Sequence, residues 1–236
     1  MFVRYTQKGW KIILQRNHAL LAAQICARWK IGNQPSRWVE TLIACADHDD
    51  SSNELEDTKL LTDAGGPMDF GMGEFDEAKT RLLINMAITK SAFTALLVSK
   101  HFIFTHGNEP KAKKILSELE PKESEWIRVA ETSKKEVEEA YRLLEFCDAF
   151  SILICQDAIQ PEKRSMEISM GPDGKMYEVL EDDECLVVKP WPFEVDEFEL
   201  NYEVREIGKI NFKNDEQFRK ILYETLPQQR YVKLKK

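Results

Sequence analysis

Apolar residues recur every three to four positions over the first two-thirds of the chain, the period of helices with one buried face. Leu20, Leu21, Ile25 and Cys26 follow that spacing and predict a helix over Asn17–Trp29. Ser36 is placed to cap a second helix, Arg37–His48, with Leu42, Ile43 and Ala46 read as its core side. Residues 50–75 lose the period and read as a long loop, a length that usually accompanies function or mobility. A long helix is expected from Asp76 to Thr105, stopped by Gly107 and Pro110. Another is expected from Ser124 to Asp157, stopped by Pro161.

After that the period shortens to two. "RSMEISMGPDGKMYEVL" reads as a hairpin about Pro172-Asp173-Gly174. "ECLVVKPWPF", "FELNYEVREI" and "QRYVKLK" read as further strands, with a short helix near Glu216–Thr225. The opening "MFVRYTQKGWKIIL" adds one or two strands. The pattern is therefore mainly α, with a β-rich final third.

Composition narrows the class of protein. The 236 residues are 43% hydrophobic and 31% charged, with a formal net charge of −8. No basic footprint suited to a nucleic-acid duplex is present. No run reaches the roughly 18 apolar residues of a membrane span, and the first ten residues hold no signal-type apolar core. The five cysteines (Cys26, Cys45, Cys147, Cys155, Cys185) form no CxxC and fall mostly in apolar helical runs. They read as buried reduced thiols, and the expected location is cytoplasmic.

Five ionisable residues interrupt apolar faces. His18 shares its face with Leu14, Leu21, Ala22 and Ile25, and His101 lies among Leu97, Val98 and Phe104. Asp148 sits mid-helix beside Leu144 and Ile152, where no cap is needed. His48 and Asp49 end the apolar stretch "TLIACA". One buried histidine is ordinarily a hydrogen-bonded core residue. An unpaired buried carboxylate, however, needs a cation, a proton or a metal. Together His18, His48, Asp49, His101 and Asp148 offer the donors that suit Fe, Mn, Zn, Ni or Mg, as one or two divalent ions. Gln15, three residues before His18, is placed to hydrogen-bond a ligand or bound water. Asp49 and Asp50 are the candidate catalytic carboxylates. The run "NELEDTK" otherwise reads as a solvated loop.

The order His, His-Asp, His, Asp on successive helices resembles the HD-domain superfamily of metal-dependent phosphohydrolases. More narrowly, "LQRNHALLAAQICARWK", "ADHDD", "GGPMDFG", "LLVSKHFIF", "FCDAFSILIC" and "KPWPF" resemble the mainly bacterial domain-of-unknown-function family 3891. The resemblance implies an HD-domain-like helical bundle with a C-terminal β-rich extension. Residues 1–160 would form the metal-binding core, including a short N-terminal β segment, and residues 161–236 the extension packed on it. It also implies His18, His48, Asp49 and Asp148 as first-metal ligands, with Asp49 reaching toward a second ion held in part by His101.

Two departures matter. Ser51-Ser52 stand where that family tends to have glycine and tryptophan, and no lysine follows the dyad to hold a substrate phosphate. His106, five residues past His101, points about 140° away on a continuing helix and reads as a helix-end residue. Lys100, Arg81 and Arg142 are the other cations available for a phosphate. The expected function is a metal-dependent phosphohydrolase, using a metal-activated water on a small-molecule or nucleotide phosphoester. The alternatives are an HD-fold di-iron oxygenase and a non-catalytic, metal-stabilised binding protein. The expected partner is a phosphorylated small molecule, with no duplex and no membrane; a homodimer is left open.

Overall fold

In the computed structural model, which describes residues 1–57 and 59–236, the chain opens with a hairpin. Strands β1 (Phe2–Thr6) and β2 (Gly9–Ile13) pair antiparallel, Phe2 opposite Ile13 and Thr6 opposite Gly9. Gly9 has φ 143°, and a Cβ there would lie 1.9 Å from the Ile207 carbonyl oxygen, so the position admits glycine alone. The crowding arises because β2 pairs with β6 (Glu197–Ile207), Trp10 opposite Ile207 and Ile12 opposite Arg205.

On its other edge β6 pairs antiparallel with β7 (Gln228–Lys235). Strand β5 (Cys185–Lys189) joins β7 in parallel, followed by β4 (Met176–Asp182) and β3 (Met166–Met170) in antiparallel order. The result is one seven-stranded sheet, β1-β2-β6-β7-β5-β4-β3, mixed in direction and curled into a half-barrel.

Helix α1 (Gln15–Ala27) leaves β2 almost directly and runs beside β6. There its side chains take the place of a missing strand. Asn17 Oδ1 accepts from the Glu203 amide at 2.8 Å. Gln24 donates to the Asn201 carbonyl at 2.8 Å and accepts from its amide at 3.1 Å. Beyond Arg205, where β2 has diverged, β6 thus still satisfies its backbone. Helices α2 (Trp38–Asp47) and α6 (Lys134–Cys155) pack against α1, and α4 (Ala92–His106) packs against both of them. The main core fills the space between these helices and the sheet; Phe93, Phe146, Phe150 and Phe193 are among its fully buried side chains. A second, smaller core gathers Ile12, Leu60, Ile207, Phe212 and Phe218 around α7 (Asp215–Glu224).

This architecture corrects the expectation of a mainly α, HD-domain-like bundle with a β-rich extension. Helices account for 47% of the chain, and the rest is organised by the seven-stranded sheet, so the fold is α/β. The decisive pairing, β2 with β6, joins segments far apart in sequence, which local periodicity does not register. The boundary drawn at residue 160 separates β1 and β2 from the strands that share their sheet.

Two long helices expected from the sequence are each divided. The stretch 76–105 forms α3 (Glu77–Lys90) and α4, broken at Ser91, which is extended and accepts the Thr94 amide at 3.0 Å. The stretch 124–157 forms α5 (Lys113–Val129), which starts earlier and runs through Pro121, and α6. Between them Glu131 has φ 50°, and Ser133 with Glu136 makes a reciprocal capping box. On α2 the buried positions are Thr41, Ala44 and Cys45, whereas Ile43 is exposed and Leu42 and Ala46 are half-buried. The buried stripe therefore follows the i, i+3, i+4 spacing that ends on His48.

The described part of the loop over residues 50–75, all but residue 58, is tied down through its backbone and side chains. Asp215 accepts the Leu60 and Leu61 amides at 2.5 and 2.9 Å, and Asp69 accepts the Val3 amide at 2.9 Å. Phe70 packs on Phe2, ring centroids 4.4 Å apart.

Candidate metal centre

His18 lies in the first turns of α1, His48 caps the end of α2 with Asp49 next to it, His101 is on α4 and Asp148 is on α6. Because α1, α2 and α6 pack together and α4 packs on α2 and α6, all five side chains meet. Asp148 Oδ1 lies 2.8 Å from His18 Nε2 and 3.1 Å from His48 Nε2. Asp49 Oδ2 lies 3.3 Å from His18 Nδ1 and 3.5 Å from His48 Nε2. The carboxylate nearest His101 is Asp148, whose Oδ2 is 4.0 Å from Nε2. His18, His48 and Asp49 form one ligand group, and His48, His101 and Asp148 a second, each spanning no more than 4.8 Å. Asp148, more than Asp49, is thus the carboxylate turned toward His101.

Burial decides the electrostatics. The histidine rings and Asp148 are all buried, and Asp49, with 25% of its side chain exposed, forms the opening to solvent. Burial opposes charge on His48, but the Asp49 and Asp148 carboxylates outweigh it and hold the imidazole up to about 9. His18 is raised in the same way, burial opposed by its hydrogen bonds to Asp148 and Asp49. Burial alone would raise both aspartates; His48 and His18 together pull them below the usual carboxylate range. His101 goes the other way, because burial prevails over Asp148 and lowers it.

The donor set fits a cation. His48 Nδ1 faces the Cys45 carbonyl at 2.9 Å, and His18 Nδ1 faces the Gln15 carbonyl at 3.1 Å. Each carbonyl fixes a proton on Nδ1 and leaves Nε2 as a lone pair aimed at the carboxylates. A lone pair facing a carboxylate oxygen at 2.8–3.1 Å requires a second proton on each ring or a cation between them. Two imidazolium ions against two carboxylates is neutral, and so is one divalent ion with neutral imidazoles. A divalent ion can therefore replace two protons without leaving net charge buried.

The remaining sequence-selected residues divide. Gln15 donates from Nε2 to Asp49 Oδ2 at 2.8 Å, so it positions the most exposed carboxylate. Asp50 pairs with Arg16 at 2.8 Å and Asp47 with Lys90 at 2.6 Å; neither hydrogen-bonds the five. His106 pairs with Glu109 at 2.7 Å near the end of α4. Arg81 is held by Glu77 and Glu118, and Lys100 and Arg142 by Glu138. Arg16 was not singled out in the sequence, yet it is the cation joined to the residue next to Asp49. Its position two residues before His18 was the available signal.

Glu54 was also missed, since it lies in a carboxylate run that reads as solvated. It is buried and accepts the Gln15 amide at 2.8 Å while pairing with the Met1 amine at 2.9 Å. Two surface cavities of about 300 and 200 Å³ lie elsewhere, the larger lined by Leu55, Glu216, Arg219, Lys220 and Tyr223.

Fold and site together define an α/β protein in which four helices, backed by a curled sheet, bring together three imidazoles and two carboxylates, groups of which could hold a metal ion. The chain belongs to the family described as "Protein of unknown function (DUF3891)", whose model matches residues 1–209. No curated protein and no solved structure matches it. Among the described residues no helix is long and apolar enough to cross a membrane.

Proposed function

We propose that this protein is a metal-dependent phosphohydrolase acting on a small-molecule or nucleotide phosphoester, with one or two divalent ions held by His18, His48, Asp49, His101 and Asp148. The reading rests on one observation: two histidine Nε2 atoms, each with its Nδ1 committed to a backbone carbonyl, converge on the same oxygen of a buried aspartate. The order of these residues along the helices resembles that of HD-type phosphohydrolases, although the fold is not their helical bundle.

A bound divalent ion supplies Lewis acidity and a nucleophilic water at neutral pH. The protein's own contributions are positional. The Cys45 and Gln15 carbonyls keep His48 and His18 in the tautomer that ligates. Gln15 holds Asp49 at the mouth, where it can accept a proton from an entering water. Phe2, its ring centroid 5.0 Å from that of His18, closes the inner wall. Arg16 offers a half-exposed guanidinium to a substrate phosphate, at the cost of loosening its pair with Asp50.

Elemental analysis of protein purified without added metal, followed by a phosphoester panel, tests the proposal. We expect about one or two equivalents of metal, lost in His48→Ala and Asp148→Ala, together with turnover that a chelator abolishes. Unchanged metal content in both variants would remove the site. Iron with oxygen consumption and no phosphoester turnover would transfer the same residues to an oxygenase.

A further inference from the structure

Three sulfurs lie close to the His/Asp cluster and take no part in it. Cys26 on α1, Cys45 on α2 and Cys147 on α6 bring their Sγ atoms within 4.8 Å of one another. All are free thiols, and their side chains are shut off from solvent. The helices that supply them also supply His18, His48 and Asp148. Cys147 is the residue before Asp148, and the carbonyl of Cys45 is the group that orients His48. The sequence shows no CxxC or other spaced motif, because each sulfur comes from a different helix.

We propose that Cys26, Cys45 and Cys147 form a second metal site, a closed three-sulfur site for a soft, thiophilic ion, with Cu(I) the ion it fits best. A metal–thiolate bond is about 2.3 Å long, so an ion at the centre of three sulfurs sets them about 4.0 Å apart. Sulfurs that already lie within 4.8 Å reach that spacing by small side-chain adjustments. Structural zinc is almost always four-coordinate, whereas this group offers three donors and no access for water. Soft thiolate donors suit Cu(I) and zinc, and of the two Cu(I) is the ion that three-coordination satisfies. Binding displaces a thiol proton to solvent. An apolar interior favours the least net charge, which is one thiolate and two thiols around the monovalent ion. Loaded in this way, the site would tie α1, α2 and α6 together beside the cluster they carry.

The test is an anaerobic titration of the reduced, metal-free full chain with Cu(I), against a chromogenic Cu(I) chelator. The wild type is expected to withhold about one equivalent, with a thiolate-to-copper charge-transfer band in the ultraviolet. Cys26→Ala, Cys45→Ala and Cys147→Ala, each confirmed as folded by circular dichroism, should lose at least about tenfold in affinity. Cys155→Ala and Cys185→Ala should match the wild type. X-ray absorption at the copper edge of the loaded wild type is independent of whether the variants fold and should show sulfur neighbours alone. A wild type that withholds no Cu(I) would overturn the site and leave three thiols packed as small apolar side chains. A nitrogen and oxygen shell would overturn it by placing the ion on the histidines. Folded Cys45→Ala that binds as tightly as wild type would overturn it as well.

Discussion

Replacing Asp148 with alanine in the metal-free protein should cost about 3 kcal/mol of folding stability near pH 6 and much less above pH 9. The perturbation removes the oxygen that lies 2.8 Å from His18 Nε2 and 3.1 Å from His48 Nε2, leaving two buried rings with Asp49 as their only carboxylate partner. Breaking one side of a buried ion pair typically costs about 3–5 kcal/mol. The ionisation of His48 supports a value at the low end of that range. Its folded-state value is about 9 against an ordinary 6.5, and a difference of about 2.5 units corresponds to about 3 kcal/mol, shared between Asp49 and Asp148.

The sign follows from linkage. A histidine raised on folding stabilises fully below its unfolded value and loses that contribution as pH rises through the folded one. The window of loss for His48 therefore runs from about 6.5 to about 9. The aspartates are depressed, so their contribution is present above the ordinary carboxylate value and disappears as pH falls below it. The metal-free wild type should then be most stable between the carboxylate and imidazole ranges. Urea denaturation of wild type and Asp148→Ala at pH 6 and pH 9.5 in chelator measures the difference directly. An equal cost at both pH values, or a cost under about 1 kcal/mol at pH 6, would refute the account of two protonated rings shared by one carboxylate.

Two further predictions concern the frame that holds the cluster. Gly9→Ala should lower stability by more than about 3 kcal/mol, because a Cβ at φ 143° meets the Ile207 carbonyl and forces β2 from β6; thermal unfolding should shift by roughly 10 °C. Gln24→Ala should cost about 1 kcal/mol through its lost bonds to Asn201 and should speed amide exchange at Asn201, while leaving metal content unchanged.

The helical part of this picture was legible because burial leaves a period in the sequence. His18, His101 and Asp148 stood out as polar residues inside apolar stripes, and their helices do converge. Helix breaks were harder to read. Ser91 ends α3 and starts α4 through one side-chain bond inside an otherwise continuous helical pattern, so the break depends on one φ/ψ choice at a capable residue. The helix start at Lys113 was hidden by Pro121, which usually marks a boundary. Glu54 was illegible for a different reason. It lies in a run of carboxylates that reads as solvated, and only tertiary structure brings the Gln15 amide and the Met1 amine to it.

The joining of the expected strands into one sheet was the largest omission, and that sheet bears on the site through α1. His18 is positioned by α1, and α1 is anchored to β6 by Asn17 on Glu203 and Gln24 on Asn201. A one-residue slip of β6 against β2 would move both anchors by about 3.3 Å and turn their backbone partners to the opposite edge of the strand. Such a displacement exceeds the 2.8 Å that separates His18 from Asp148. Four helices supply the five side chains, and the bonds from α1 to β6 help to place the first of them. The cluster requires only that α1, α2, α4 and α6 meet, and any scaffold that fixes α1 to that tolerance will serve.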